Sequence, residues 1–354
     1  MKIQLKKWLQ GALAASLIFL VLANGVALAS PEIASPVAAQ PQAINSSKAN
    51  PQILAGSFFQ PSLVTNWTES DFAAEYDAMK EVSMDHIIWQ WTVDTKAKQA
   101  CYPTGLPGYS QMYREDKVKL SLVQADEKGI KVWLGLTAND DWFRHYANDE
   151  KWLTHEVSLN KKVVQELWQG YGDNYGDTIA GFYIWMEVDN VHFQNSIRQN
   201  RIAMAYKEIA EEVDRVTGKP VMIAPFFTQG RGQDALTYAA MWGNILKTAP
   251  IDIIALQDGF GGGRVSVTEI GDWLAPLKRK ITEVRPQTEL WSDLETFTPD
   301  FLPAPISRVI SQIKAEQNFV SNFTSFSFNH YDSPNNGRML PYFQYKKYVD
   351  SLQI

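Results

Sequence analysis

Eight β-prone apolar runs alternate with eight helix-length segments along the chain, and that alternation predicts an α/β fold, a (β/α)8 TIM barrel. Two further observations point the same way. The turn after the first run, Gln60-Pro61-Ser62, offers no glycine-rich phosphate loop, which a doubly wound sheet would want. Two of the runs stop abruptly on a glutamate: Phe182-Tyr183-Ile184-Trp185 with Met186 ends at Glu187, and Leu290-Trp291-Ser292-Asp293-Leu294 ends at Glu295. A carboxylate at the tip of a buried strand is costly unless it faces a cleft.

The first strand is expected over 54–59, followed by a helix that Thr68 caps, with Asp71 three residues on, running to about Val82. A second strand covers 86–91. A long loop containing proline and glycine leads to a helix over 116–128, which Gly129 ends. The third strand is expected at 131–136, then a charged, Trp-bearing insertion and a helix at 159–170. The fourth strand spans 179–186, and its helix, 196–217, stops at Gly218. Strand five (220–224) pairs with a helix at 233–247, strand six (252–256) with 268–284, and strand seven (288–294) with 305–319, whose early Pro305 suits a first turn. Strand eight is expected at 323–328, with a closing helix at 342–352. The chain ends there, so one folded domain is expected, over 53–354.

Ahead of that domain the sequence reads as an export signal at 1–29. Lys2, Lys6 and Lys7 form a basic start, Gly11 to Leu22 an apolar core, and Ala27-Leu28-Ala29 a small-x-small cleavage site. The stretch 30–52, with Pro31, Pro36, Pro41 and Pro51 among small and polar residues, reads as a disordered linker. The expected location is therefore outside the cytoplasm, secreted or periplasmic, with no stable membrane insertion after cleavage. The formal charge of −6 becomes more negative once three lysines leave with the signal, which argues against nucleic acid as a partner. The single cysteine, Cys101, cannot form an internal disulfide and is expected in a loop.

In such a barrel chemistry sits at the C-terminal ends of the strands. Gln60, Gln90, Asn139, Gln257, Asp258 and His330 fall at or just past those ends and carry groups that bind sugar hydroxyls. Trp91, Tyr183 and Trp291 are the aromatic candidates, flat faces with a polar edge that suit sugar rings. The chain is rich in such rings, with 12 Trp, 14 Tyr and 17 Phe. The only glutamates at strand ends are Glu187 and Glu295, on strands four and seven. Opposed across the mouth, they provide what glycosidic cleavage needs: an acid for the departing oxygen and a carboxylate at the anomeric carbon. Glu187 is assigned as acid/base and Glu295 as nucleophile; Asp189 and Asp293, two residues away on the same faces, are possible stand-ins. No H-E-x-x-H pattern and no G-x-S-x-G elbow occurs, so neither a metal nor another cofactor is expected.

An acid on strand four and a nucleophile on strand seven form the pattern of clan A glycoside hydrolases. The segments Gly56-Ser57-Phe58-Phe59, Ile87-Ile88-Trp89-Gln90-Trp91, Val132-Trp133-Leu134-Gly135-Leu136 and Gln257-Asp258-Gly259 resemble a bacterial family of glycosyl-hydrolase-like proteins first catalogued as a domain of unknown function. Tyr183 to Glu187 and Trp291 to Phe297 extend the similarity over about 53–331. Clan A members usually carry Asn just before the acid/base, where this chain has Met186. The resemblance implies a glycoside hydrolase acting on a poly- or oligosaccharide. The alternative from another class is a non-catalytic carbohydrate-binding barrel serving cell-surface polysaccharide assembly, and a deacetylase is disfavoured by the missing metal-ligand spacing.

Overall fold

A computed structural model describes residues 52–352. The export signal and nearly all of the linker lie outside the described residues. Eight parallel strands close into a barrel: β1 (Gly56–Phe59), β2 (His86–Trp89), β3 (Lys131–Gly135), β4 (Ile179–Ile184), β5 (Val221–Ile223), β6 (Ile253–Gln257), β7 (Glu289–Glu295) and β8 (Asn322–Phe326), with β1 paired to both β2 and β8. The helices that follow them are α1 (Glu69–Glu81), α2 (Lys117–Lys128), α3 (Glu150–Tyr175), α4 (Ser196–Thr217), α5 (Ala235–Leu246), α6 (Ile270–Val284), α7 (Ile306–Glu316) and α8 (Met339–Ser351). This is the (β/α)8 barrel that the alternation predicts.

Helix starts follow the capping chemistry written in the sequence. Thr68 and Asp71 form a reciprocal capping box on α1. The side chains of Asp116, Asp149, Asn195 and Asp234 each accept the amide three residues on, at 2.8–3.0 Å, and so start α2 to α5. Gly129 and Gly218 end α2 and α4 at φ 68° and 65°, a left-handed conformation that favours glycine.

Two regions differ from expectation. Helix α3 begins at Glu150 rather than 159, because Asp149 caps it and Leu153, Glu156 and Val157 continue the buried face of Asn160, Val163, Val164 and Leu167. The charges that made this stretch read as an insertion lie mostly on its outer side. The loop after β2 is also more ordered than its prolines and glycines suggested. Val93–Asp94, Gln99–Ala100 and Ser110–Gln111 join Thr137–Ala138 in a small four-stranded sheet. Cys101 lies in that loop, free and fully buried, and burial pushes its thiol well up.

Large rings close the bottom of the barrel. Trp291 lies 5.4 Å from the His86 ring and 6.1 Å from that of Trp133, centre to centre. Glycines make room for them: a Cβ at Gly56 would fall 2.2 Å from His86, and one at Gly181 would fall 2.3 Å from Trp133. A layer higher, Phe58 meets Tyr183 edge to face at 5.1 Å. The barrel interior is thus packed by side chains, as in such barrels generally.

Candidate active site

Glu187 follows β4 and Glu295 ends β7, as the sequence predicts, and each is held by a distinct set of partners. The main-chain oxygen of Glu187 accepts Trp142 Nε1 at 2.8 Å, which fixes the turn that presents it. Its carboxyl accepts from Gln257, whose Nε2 also donates to the Ala224 carbonyl at 2.9 Å. Burial pushes the Glu187 carboxyl up to about 8. Arg264 and the bond from Gln257 pull the other way, while Asp189 and Glu295 add to the rise. The residue as a whole is nonetheless partly exposed. A carboxylic acid that stays protonated at neutral pH is suited to donate a proton.

Glu295 is held from above and below. Its Oε2 accepts the amide of Gly262 at 2.9 Å, from the loop that follows β6. Its own amide donates to Asp258 Oδ1 at 3.2 Å, and its carbonyl accepts Arg308 Nη2 at 2.9 Å. Arg308 gives the same nitrogen to the Phe297 carbonyl at 2.7 Å, so it supports the main chain around Glu295. The Coulombic influence of Glu295 on Glu187 puts the two carboxyls in one electrostatic neighbourhood.

The remaining sequence candidates divide by position. Gln257 touches Glu187 directly. Gln60 lies past β1 with its Oε1 buried and unpartnered, and Gln90 and Trp91 follow β2, where Trp91 is buried. His330 sits in the turn after β8, stacked on Tyr331 at 4.1 Å; burial, then Arg338, pushes its imidazole down to about 4, so it is neutral at pH 7. Tyr183 is a fully buried layer residue beneath Glu187. Asn139 is committed elsewhere: its Nδ2 donates to Thr95 and Glu156 at 2.9 and 3.1 Å, and its Oδ1 accepts the Asp141 amide.

Asp258 is 1% exposed and spends both oxygens inside the protein, on the amides of Glu295 and Phe260 and on Gln312 Nε2 at 2.6 Å. It orients Glu295 from behind rather than reaching the cleft. Trp291 corrects the expectation of a sugar contact. Two residue pairs of alternation place it on the inward face shared with Asp293 and Glu295, but at the barrel floor, where its Nε1 donates to Glu289 at 2.8 Å. The two stand-in carboxylates are also occupied or enclosed. Asp189 accepts the amides of Val191 and His192 and the His192 ring at 2.6, 2.7 and 2.8 Å. Asp293 lies inside the barrel, where burial and the neighbouring Glu295, Asp258 and Glu187 push its carboxyl well up.

Several mouth residues carry no signal at strand ends because they sit on loops. Tyr331 is sandwiched between Phe297 (5.2 Å) and His330, its hydroxyl is unpartnered, and burial followed by Glu295 pushes its phenol up. Tyr146 stacks flat on His192 at 3.8 Å, and Phe143 meets Trp185 edge to face at 5.6 Å. Arg264 lies over the Phe226 ring at 5.0 Å. Most of these rings are buried: Tyr331 is 0% exposed, and Trp185, Tyr146, Phe226 and Phe297 are also enclosed, so they wall the site rather than present open faces. Among the described residues no group of His, Cys, Asp and Glu could hold a metal ion, and no helix is long and apolar enough to cross a membrane.

Comparison with known proteins identifies the family and the fold. A family model described as a domain of unknown function (DUF4434) matches residues 54–338. None of the curated proteins matches. Among solved structures, a candidate α-L-fucosidase from Bacteroides thetaiotaomicron is similar at a TM-score of 0.71 and 19% identity, over 87% of this chain and 99% of that one. An endo-1,4-β-D-mannanase from Thermotoga petrophila is similar at 0.56 and 13%, over 84% and 99%. A β-glucosidase from Thermotoga maritima is similar at 0.51 and 9%, over 87% and 99%. At these identities the likeness is one of fold.

Proposed function

We propose that this chain, which belongs to the family catalogued as a domain of unknown function (DUF4434), is an exported glycoside hydrolase that cleaves O-glycosidic bonds of a poly- or oligosaccharide by a retaining, two-glutamate mechanism. The observation that carries the reading is the unequal treatment of two carboxyls at the tips of β4 and β7. Glu187 is pushed up to about 8 and so enters the reaction as an acid, whereas Glu295 is clamped through its main chain and one carboxylate oxygen. The fold relatives described as a fucosidase, a mannanase and a glucosidase fit this reading. The basic, then apolar, then small-residue N-terminus supports export.

In the first step Glu295 attacks the anomeric carbon while Glu187 passes its proton to the departing glycosidic oxygen, leaving a glycosyl ester on Glu295. In the second, Glu187 takes a proton from water, the hydroxide equivalent displaces Glu295, and the sugar leaves with its original anomeric configuration. The Gly262 amide donates to Glu295 Oε2, where charge is lost and regained. The test is release of new reducing ends from a panel of polysaccharides by the wild type, Glu187→Gln and Glu295→Gln. Cleavage that vanishes in both variants supports the pair; cleavage that survives in both removes it. Binding without cleavage by the wild type would favour a carbohydrate-binding barrel.

A further inference from the structure

The loop between β6 and α6 brings a cation to the mouth. Arg264 is half-buried, its guanidinium lies over the face of Phe226, and its Nη1 is shielded from water and donates to nothing. The loop backbone is shaped to fit it: a Cβ on Gly262 would come within 3.1 Å of Nε, and one on Gly259 within 3.2 Å of the arginine's own Cβ. Its charge acts on both Glu187 and Tyr146, pulling each group's pKa down. Tyr146 is held flat against His192, whose Nδ1 is taken by Asp189, and its hydroxyl is likewise buried without a partner. The same loop supplies the Gly262 amide to Glu295.

A half-buried guanidinium is costly unless an anion or several acceptors meet it. Glu187 does not serve as that anion: it stays largely protonated at neutral pH in spite of Arg264. Guanidinium presents a planar fork that matches carboxylate and sulfate oxygens. The chain as a whole, at net charge −6, offers an acidic polymer no general attraction, so recognition of one would have to be local. We propose that the cleft takes a sugar bearing an anionic substituent, a uronate carboxylate or a sulfate ester, and that Arg264 pairs with that group beside Glu187. This inference rests on the glycosidase reading and narrows its substrate class.

The test is equilibrium binding by the full-length chain carrying Glu295→Gln, which blocks turnover, with and without Arg264→Met. The probes are oligosaccharides of glucuronate, galacturonate and mannuronate, the same oligomers with their carboxyls reduced, and carrageenan oligosaccharides as the sulfated arm. At least one acidic class should bind tenfold or more tighter than its neutral counterpart, and Arg264→Met should erase that difference while leaving neutral binding within twofold. Arg264→Lys, which keeps the charge without the fork, should retain part of the preference, and circular dichroism checks that each variant is folded. Equal binding of acidic and reduced oligomers, no binding of any acidic probe, or a preference that survives Arg264→Met would overturn the inference. Failure of the glycosidase reading has a different signature: acidic oligomers bind through Arg264, yet the wild type releases no reducing ends.

Discussion

Oε2 of Glu295 accepts the backbone amide of Gly262 at 2.9 Å, tying the carboxylate at the end of β7 to the loop that follows β6. The contact is close because Gly261, next to it, has no side chain. A Cβ there would fall 2.6 Å from Phe297 and 2.8 Å from the same Oε2. Gly261→Ala should therefore displace the loop or the carboxylate and lower kcat/KM by about a hundredfold. The clash is confined to a loop, so the melting temperature should stay within a few degrees. Kinetics and calorimetry on the same preparation check both halves.

On the proposed mechanism, Glu187 should set the basic limb of the pH profile. The group would work as an acid in its protonated form, so kcat/KM should hold at neutral pH and fall as pH rises through about 8. Arg264 lowers that value, so Arg264→Met should move the limb upward. A limb that stays in place in that variant would separate Arg264 from Glu187.

Asp258 supports Glu295 from behind, and its two substitutions should behave differently. Asp258→Ala leaves the buried amides of Glu295 and Phe260 without their acceptor, at a cost of about 2–4 kcal/mol in stability. Asp258→Asn keeps an acceptor for those amides, and the Gln312 side chain can turn to present Oε1, which is unpartnered, to the new amide group. The asparagine variant should retain most of the stability that alanine loses, as denaturant unfolding would show.

Stability should decline toward alkaline pH. Burial is the main cause that pushes Glu75, Glu156, Asp258 and Asp332 each up to about 7, from ordinary values of 4.5 or 3.8. Folded-state values above unfolded ones mean that the native protein binds more protons between those limits. The contribution is full below about 4 and is lost as pH rises through about 7. The melting temperature should fall from pH 5 to pH 8, and Glu75→Gln, which can still accept from Ser333 and Asn335, should flatten part of that slope.

The barrel was readable because strand and helix periods differ and because capping residues punctuate them; Thr68, Asp116, Gly129 and Gly218 act where their chemistry indicates. The strand-tip glutamates were readable because a charge ending an apolar run is conspicuous. Trp291 was misplaced for a reason that alternation cannot repair. It shares a face with Glu295, yet period two says nothing of depth, and the ring lies with His86 and Trp133 on the floor. Arg264, Tyr146 and Tyr331 lie on loops, where no period operates, and only the folded chain brings them to the carboxyls. Helix α3 was cut short because charges on its outer face masked the buried stripe that starts at Leu153.

The proposed mechanism turns on the attack of Glu295 on the sugar. The most direct measurement is the mass of the peptide bearing Glu295 after incubation with a panel of 2-deoxy-2-fluoro glycosides, which slow breakdown of a glycosyl ester. One added fluoro-sugar is expected on Glu295 in the wild type and none in Glu295→Gln. A label on another carboxylate, or hydrolysis that proceeds with inverted configuration and leaves Glu295 unlabelled, would contradict it.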